Sequence, residues 1–254
     1  MAKTLIAILL VHVILLVNEL LLVNGTEDRQ VDVNFVIDRS FSLLEKDSTC
    51  LNSFGKPCWD VVADYVVNFT LGFYKESGNR FGPDGLRFGV TTYSCREVQH
   101  IPIATNITEG KLVGRDDSTL DLIAAVVYVL RDLHSPYGGT CPSKALGFAR
   151  YIIEKRRIRF PEREIVLVLI TDGFINPKDI HDTQTEADRI DSICAADGLC
   201  LTYIAPIAAP GWDESIFTAI FPTAIVLPTT GYYDGLLQRS LVQTLARIRY
   251  KTRE

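Results

Sequence analysis

Several familiar signatures are missing from this chain, and each absence narrows what it can be. No CxxC pair occurs among its six cysteines, so the usual spacing of a zinc site is lacking. No GxGxxG follows its first apolar strand, which argues against a dinucleotide-binding enzyme. The four histidines form no HExxH and no triad-like pattern. His100, His134 and His181 leave a metal-assisted hydrolase without a candidate general base; His134, beside a Gly-Gly-Thr loop, is the nearest, and a lone histidine near a helix end reads as structural. The net charge is −5 and no basic run interleaves with aromatics, which disfavours nucleic acid as a partner. The densest cationic stretch, Lys155-Arg156-Arg157, falls where a helix should end, and there it complements the helix dipole. No repeat or low-complexity tract appears after residue 25, and no later apolar run is long enough to span a bilayer.

What remains is a chain of 254 residues that is 47% hydrophobic and 22% charged, a balance suited to a packed core. Residues 1–25 are read apart from the fold. Lys3 supplies a positive start, and Leu5 to Val17 is apolar apart from His12. Asn18 and Glu19 interrupt the run, and Val23-Asn24-Gly25 offers a cleavage site. The pattern fits a secretory signal peptide; the rival is an uncleaved membrane anchor, since apolar residues resume from Leu20 to Val23. Residues 26–254 then form one domain in an oxidising, extracellular compartment. There, Cys50, Cys58, Cys95, Cys141, Cys194 and Cys200 read as three disulfides, for which fifteen pairings can be drawn. Local spacing favours Cys50 with Cys58 and Cys194 with Cys200, leaving Cys95 with Cys141; the alternative is that one or two are buried thiols. Asn68-Phe69-Thr70 and Asn106-Ile107-Thr108 fit the glycosylation acceptor pattern, although Asn68 falls within a predicted helix.

The periodicity alternates between short apolar runs and amphipathic stretches. Strands are predicted at Val31 to Ile37, Leu86 to Tyr93, Val98 to Ile103, Glu164 to Thr171, Leu199 to Ile207 and Ala224 to Leu227. Helices are predicted at Trp59 to Tyr74, Ser118 to Leu133, Pro142 to Lys155, Asp179 to Ala196, Asp213 to Ile220 and Leu236 to Ile248. Ile165 to Ile170 is apolar without a break, as in a parallel strand buried on both faces. The alternation predicts an α/β fold: a doubly wound, mostly parallel six-stranded sheet with one antiparallel edge strand and helices on both faces. Such sheets bind ligands at the carboxyl ends of their strands, near the switch in strand order.

Three segments at those ends carry chemistry: Asp38-Arg39-Ser40-Phe41-Ser42, Gly138-Gly139-Thr140 and Thr171-Asp172-Gly173. Each alone reads equally as a turn or a helix cap. Together, Asp38, Ser40, Ser42, Thr140 and Asp172 offer hard oxygen donors, which suit Mg²⁺, Mn²⁺ or Ca²⁺. Two carboxylates and three hydroxyls under-neutralise such an ion. It would keep an exchangeable position that a partner's carboxylate can fill.

This constellation resembles the metal-ion-dependent adhesion site of von Willebrand factor type A domains, the inserted-domain fold of integrins, matrilins, collagens and some protozoan adhesins. The resemblance spans residues 31–249. It implies that Ser40, Ser42 and Thr140 bind the ion directly or nearly so, that Asp38 and Asp172 act largely through water, and that the ligand supplies Asp or Glu. Arg39 and Phe41 depart from the small residues common in that motif and are candidates for a ligand-contacting rim. Cys141 directly follows Thr140, which suggests a tether on the metal loop. The implied function is a secreted adhesion or recognition module whose partner is an extracellular protein with an exposed Asp or Glu, collagen or a matrix glycoprotein among the candidates. The alternatives are a structural matrix domain with an unused metal site and, less favoured, a metal-assisted hydrolase.

Overall fold

The structure, a computed structural model, describes residues 30–40, 43, 57–76, 85–96, 98–101, 138–198, 200–207 and 214–226. Its elements in chain order are β1 (Val31–Asp38), α1 (Cys58–Glu76), β2 (Leu86–Tyr93), β3 (Val98–Ile101), α2 (Ser143–Arg159), β4 (Glu164–Thr171), α3 (Ile180–Asp197), β5 (Cys200–Pro206), α4 (Glu214–Ile220) and β6 (Ile225–Val226). The leader segment, Phe41, Ser42, Cys50, Asn106 and the helices predicted at 118–133 and 236–248 lie outside the described residues. Asn68 falls in the middle of α1.

Six strands form one sheet in the order β3-β2-β1-β4-β5-β6. Every neighbouring pair is parallel except β2 with β3, so β3 is the antiparallel edge strand that the sequence predicts. The odd positions of β1, Val31, Val33, Phe35 and Ile37, pack with Val166, Val168 and Ile170 of β4 against Trp59, Val62, Tyr65, Val66 and Phe69 of α1. On the opposite face, Leu167 and Leu169 meet Ala145, Leu146, Ala149 and Ile153 of α2 and Ala187 and Ile190 of α3. The unbroken apolar run of β4 thus has a helical layer on each side, which is why it carries no alternation.

β1 differs from β4 in that three of its four even positions are polar, yet Asp32, Asn34 and Asp38 are all buried. At the amino end of the sheet, Asp32 accepts hydrogen bonds from Arg87 Nε at 2.7 Å and Arg87 NH2 at 2.6 Å, and from Arg163 Nε at 2.7 Å. Arg163 also donates to the carbonyls of Val31 and Gly85. Arg156 adds an ion pair with Asp32 at 3.7 Å. The guanidinium of Arg87 stacks on Phe160, 4.4 Å from its ring centroid.

The basic stretch Lys155-Arg156-Arg157 does approach a helix end, and this cluster adds to that reading. α2 runs on to Arg159 instead of stopping at Lys155. It ends where Phe160, preceding Pro161, leaves the helical region at φ −142°. Arg156 turns inward to Asp32, and Arg157 donates to the carbonyl of Arg163. These cations therefore tie the helix to the sheet as well as sitting at the negative end of its dipole. A second correction concerns Asp179, predicted as the first residue of its helix. It precedes α3 and accepts from the backbone N–H of Ser143 at 3.0 Å and from the Ser143 hydroxyl at 2.5 Å. The carboxylate thus caps the neighbouring helix α2, whose flanking Pro142 has no capping side chain of its own.

Candidate metal centre

β1 and β4 are adjacent at the point where the strand order reverses, and both run toward the same edge of the sheet. Asp38 ends β1, and Asp172 directly follows β4. Both are fully buried, at 0% exposure. Asp38 Oδ1 accepts from the backbone N–H of Ser40 at 2.8 Å, a short turn that brings position 40 back over the strand end. Asp38 Oδ2 accepts from Thr171 Oγ1 at 2.9 Å, which links the two strand ends directly. Thr171 Oγ1 in turn accepts from Gly173 N–H at 3.2 Å, and Asp172 Oδ1 accepts from Phe174 N–H at 3.1 Å. Gly173 sits at φ 83°, a left-handed conformation that an L side chain strains to adopt, which gives the glycine after Asp172 its reason.

The Gly-Gly-Thr loop reaches the same edge from the other side. The carbonyl of Thr140 accepts from Asn176 N–H at 2.8 Å, and Thr140 forms an isolated parallel bridge with Ile175, just beyond Gly173. The carbonyl of Gly139 accepts from Cys95 N–H at 2.8 Å, next to the exit of β2. A Cβ on Gly138 would lie 3.2 Å from Ser94 Oγ and 3.3 Å from Ser94 Cβ, a tight approach that would need Ser94 to give slightly. Cys95 and Cys141 are disulfide-bonded, as are Cys194 and Cys200. Cys58 is bonded too, and its expected partner, Cys50, lies outside the described residues. Among the described residues no cysteine is free.

Electrostatics mark the strand ends. Burial first, and the neighbouring Asp172 next, push the Asp38 carboxyl up to about 8, against hydrogen bonds from Ser40 and Thr171 that lower it. The Tyr93 phenol, fully buried at the end of β2, is held well above its ordinary value by burial and by the charges of Asp38, Asp172 and Asp179. Among the described residues no group of three or more His, Cys, Asp or Glu is placed to hold a metal. A cation here would have to draw on hydroxyls as well as carboxylates. The oxygen donors of Asp38, Asp172, Ser40 and Thr140 fit a hard divalent ion, and a positive charge would relieve the repulsion within the buried carboxylate pair.

Of the expected site residues, the structure brings Asp38, Ser40, Thr140 and Asp172 to one edge of the sheet; Ser42 and Phe41 lie outside the described residues. Arg39 is a correction. Expected at an outward rim, it is 2% exposed, and its N–H donates to the Tyr93 carbonyl at 2.8 Å, continuing the β1–β2 ladder by one residue. Thr171 stands in the singled-out Thr-Asp-Gly segment but has no role in the sequence reading, and Tyr93 reads there only as a strand aromatic; the signal for both is that they close strands next to an acidic strand end.

No family model matches the chain. A collagen alpha-1(VI) chain of Gallus gallus is 26% identical over 164 residues, a match that covers 65% of this chain and 13% of the collagen chain. Among solved structures, BatB from Bacteroides thetaiotaomicron aligns with a TM-score of 0.52 at 12% identity, covering 87% of this chain and 99% of that one. An aerotolerance-related membrane protein from Bacteroides fragilis aligns at 0.51 with 11% identity, covering 85% and 99%. The manganese-loaded TRAP protein of Plasmodium vivax aligns at 0.50 with 16% identity, covering 85% of this chain and 72% of its own. A central β1 beside β4, the paired acidic strand ends at the switch point and these likenesses lead to one assignment: the chain folds as a von Willebrand factor A-like domain.

Proposed function

We propose that this chain is an extracellular binding module that holds one divalent cation, Mg²⁺ or Mn²⁺, through Asp38, Ser40, Ser42, Thr140 and Asp172, and that recognises a protein partner by an exposed Asp or Glu. One observation carries the reading. Two fully buried carboxylates, Asp38 and Asp172, stand at the switch point of the sheet, and burial first, with the Asp172 charge next, raises Asp38 to about 8. Buried carboxylates repelling one another call for a positive charge between them. When bound, the ion supplies an electrophilic position that an incoming carboxylate can occupy. The chain's own residues do the rest. Thr171 holds Asp38 in place, Gly173 turns the chain so that Asp172 follows directly on β4, and the Asn176–Thr140 bond sets the third loop against them.

The likeness to the manganese-loaded TRAP protein supports a divalent cation in this fold, and the collagen relative supports an extracellular setting. Among the described residues no helix is long and apolar enough to cross a membrane. The reading is of a binder, not a hydrolase. The decisive experiment is a pull-down from extracellular extract with Mn²⁺ or with chelator, using the natural chain and Asp172→Ala. A partner retained in Mn²⁺, released by chelator and lost in the variant is expected. Equal recovery with and without cation would overturn the proposal.

A further inference from the structure

The Cys95–Cys141 disulfide closes one residue beyond Thr140 and fastens the Gly-Gly-Thr loop to the exit of β2. Residues 138–142 have no helix or strand of their own beyond the single bridge at Thr140. That short stretch is held from two sides. On the β4 side, the Asn176 N–H and the bridge to Ile175 take the Thr140 backbone. On the β2 side, the Cys95 N–H takes the Gly139 carbonyl, and the disulfide makes the same attachment covalent. The two sides also touch, since the Asn176 side-chain amide donates to Cys95 Sγ at 3.8 Å. Thr140, 3% exposed, thus lies between a covalent anchor and a hydrogen-bonded one.

We propose that the Cys95–Cys141 disulfide positions Thr140 for the cation, so that its opening by an external dithiol lowers the cation affinity of the site. This rests on the metal-site reading above and adds its regulation. In the step, a thiolate of the dithiol attacks one sulfur and the Cys95–Cys141 bond breaks. The dithiol gives up two electrons and two protons and closes to its own disulfide, leaving two cysteine thiols. Access favours this bond over Cys194–Cys200: Cys95 and Cys141 are half-buried, whereas Cys194 at 8% and Cys200 at 5% exposure are enclosed. Supports of this kind, one step removed from the ligand atom, typically carry about 10–100-fold in metal affinity.

The test is a Mn²⁺ titration of the full chain by thermal shift, before and after graded dithiothreitol treatment, with alkylation mass mapping to show which cysteines open. Amide exchange at Cys95 and Asn176 is read in parallel, because their N–H groups hold the loop. Opening Cys95–Cys141 alone is expected to weaken Mn²⁺ by about tenfold or more and to speed exchange at both amides. The double variant Cys95→Ala/Cys141→Ala should behave as the opened protein. Cys194→Ala/Cys200→Ala should melt earlier yet keep its Mn²⁺ affinity. If the double variant fails to fold, the dithiol series on folded protein decides. Unchanged Mn²⁺ affinity in the opened protein overturns the proposal and leaves the metal site standing. Absence of any Mn²⁺ response in the intact, oxidised protein overturns both.

Discussion

Asp172→Asn separates a metal-binding carboxylate from an ordinary turn residue, because the substitution should act with opposite sign in chelator and in Mn²⁺. Asparagine keeps an oxygen for the Phe174 N–H while it removes the charge and turns the second oxygen into an amide donor. Without a cation, that charge is a liability to its buried neighbour. Asp38 stands near 8 against an ordinary value of 3.8, with burial the larger cause and Asp172 the next. Each pK unit that Asp172 contributes is worth about 1.4 kcal/mol once Asp38 is ionised, a rise in melting temperature of roughly 3–6 °C for a domain of this size. Scanning calorimetry at about pH 9 with chelator, where Asp38 is charged in both folded and unfolded chains, should show the variant melting above the natural protein. With Mn²⁺ at about a hundred times its dissociation constant, the natural protein gains about 2.7 kcal/mol from binding and the variant gains little, so the order reverses. A variant that melts lower by the same amount in both conditions would refute the reasoning.

Three further outcomes follow from the same geometry. In chelator, Asp38 holds its proton more tightly folded than unfolded, so that contribution to stability is complete below 3.8 and is lost as pH rises toward about 8. A cation must displace that proton, so Mn²⁺ affinity should climb by up to tenfold per pH unit and level off near 8; a flat profile in isothermal titration between pH 6 and 8 would contradict it. Asp32→Ala leaves Arg87 and Arg163 buried without their carboxylate and should cost about 3–5 kcal/mol in urea unfolding, whereas a loss under about 1 kcal/mol would show the cluster to be dispensable. Asn34 is buried in β1 and neither of its side-chain polar atoms finds a partner among the described residues. Asn34→Leu should therefore raise stability by about 1–2 kcal/mol in the same assay, and a decrease would point to a polar group that the amide serves.

The sheet was legible because its apolar runs are short, β-branched and spaced by amphipathic stretches. Leu86 to Tyr93 and Glu164 to Thr171 match their predicted bounds, and β4 gave itself away by six apolar residues in a row. The acidic strand ends were legible because position in a parallel sheet tells where a side chain emerges. The amino-terminal cluster was not. Val31-Asp32-Val33-Asn34 reads as an alternating strand with a wet face, and nothing local says that this face is covered. The partners of Asp32 lie 55 and 131 residues away. The capping of α2 by Asp179 escaped for the same reason, since donor and acceptor are 36 residues apart. The burial of Arg39 was not legible because nothing local in the sequence says that the residue after Asp38 is covered.

The central place of β1 bears on how the molecule comes to be made. Among the described strands β1 comes first, flanked by β2 and by β4, and its hydrogen-bonded links to β4 span as many as 133 residues. It is made before both neighbours and must wait for them with its edges unpaired. Pairings that distant form slowly and leave time for misassociation. Asp32, Asn34 and Asp38 place polar groups at alternate steps along that waiting edge, as gatekeepers do in aggregation-prone segments. Arg87 and Arg163 are then delivered by the very segments that bring β2 and β4, so the charge that keeps β1 apart from strangers is neutralised as its true neighbours arrive.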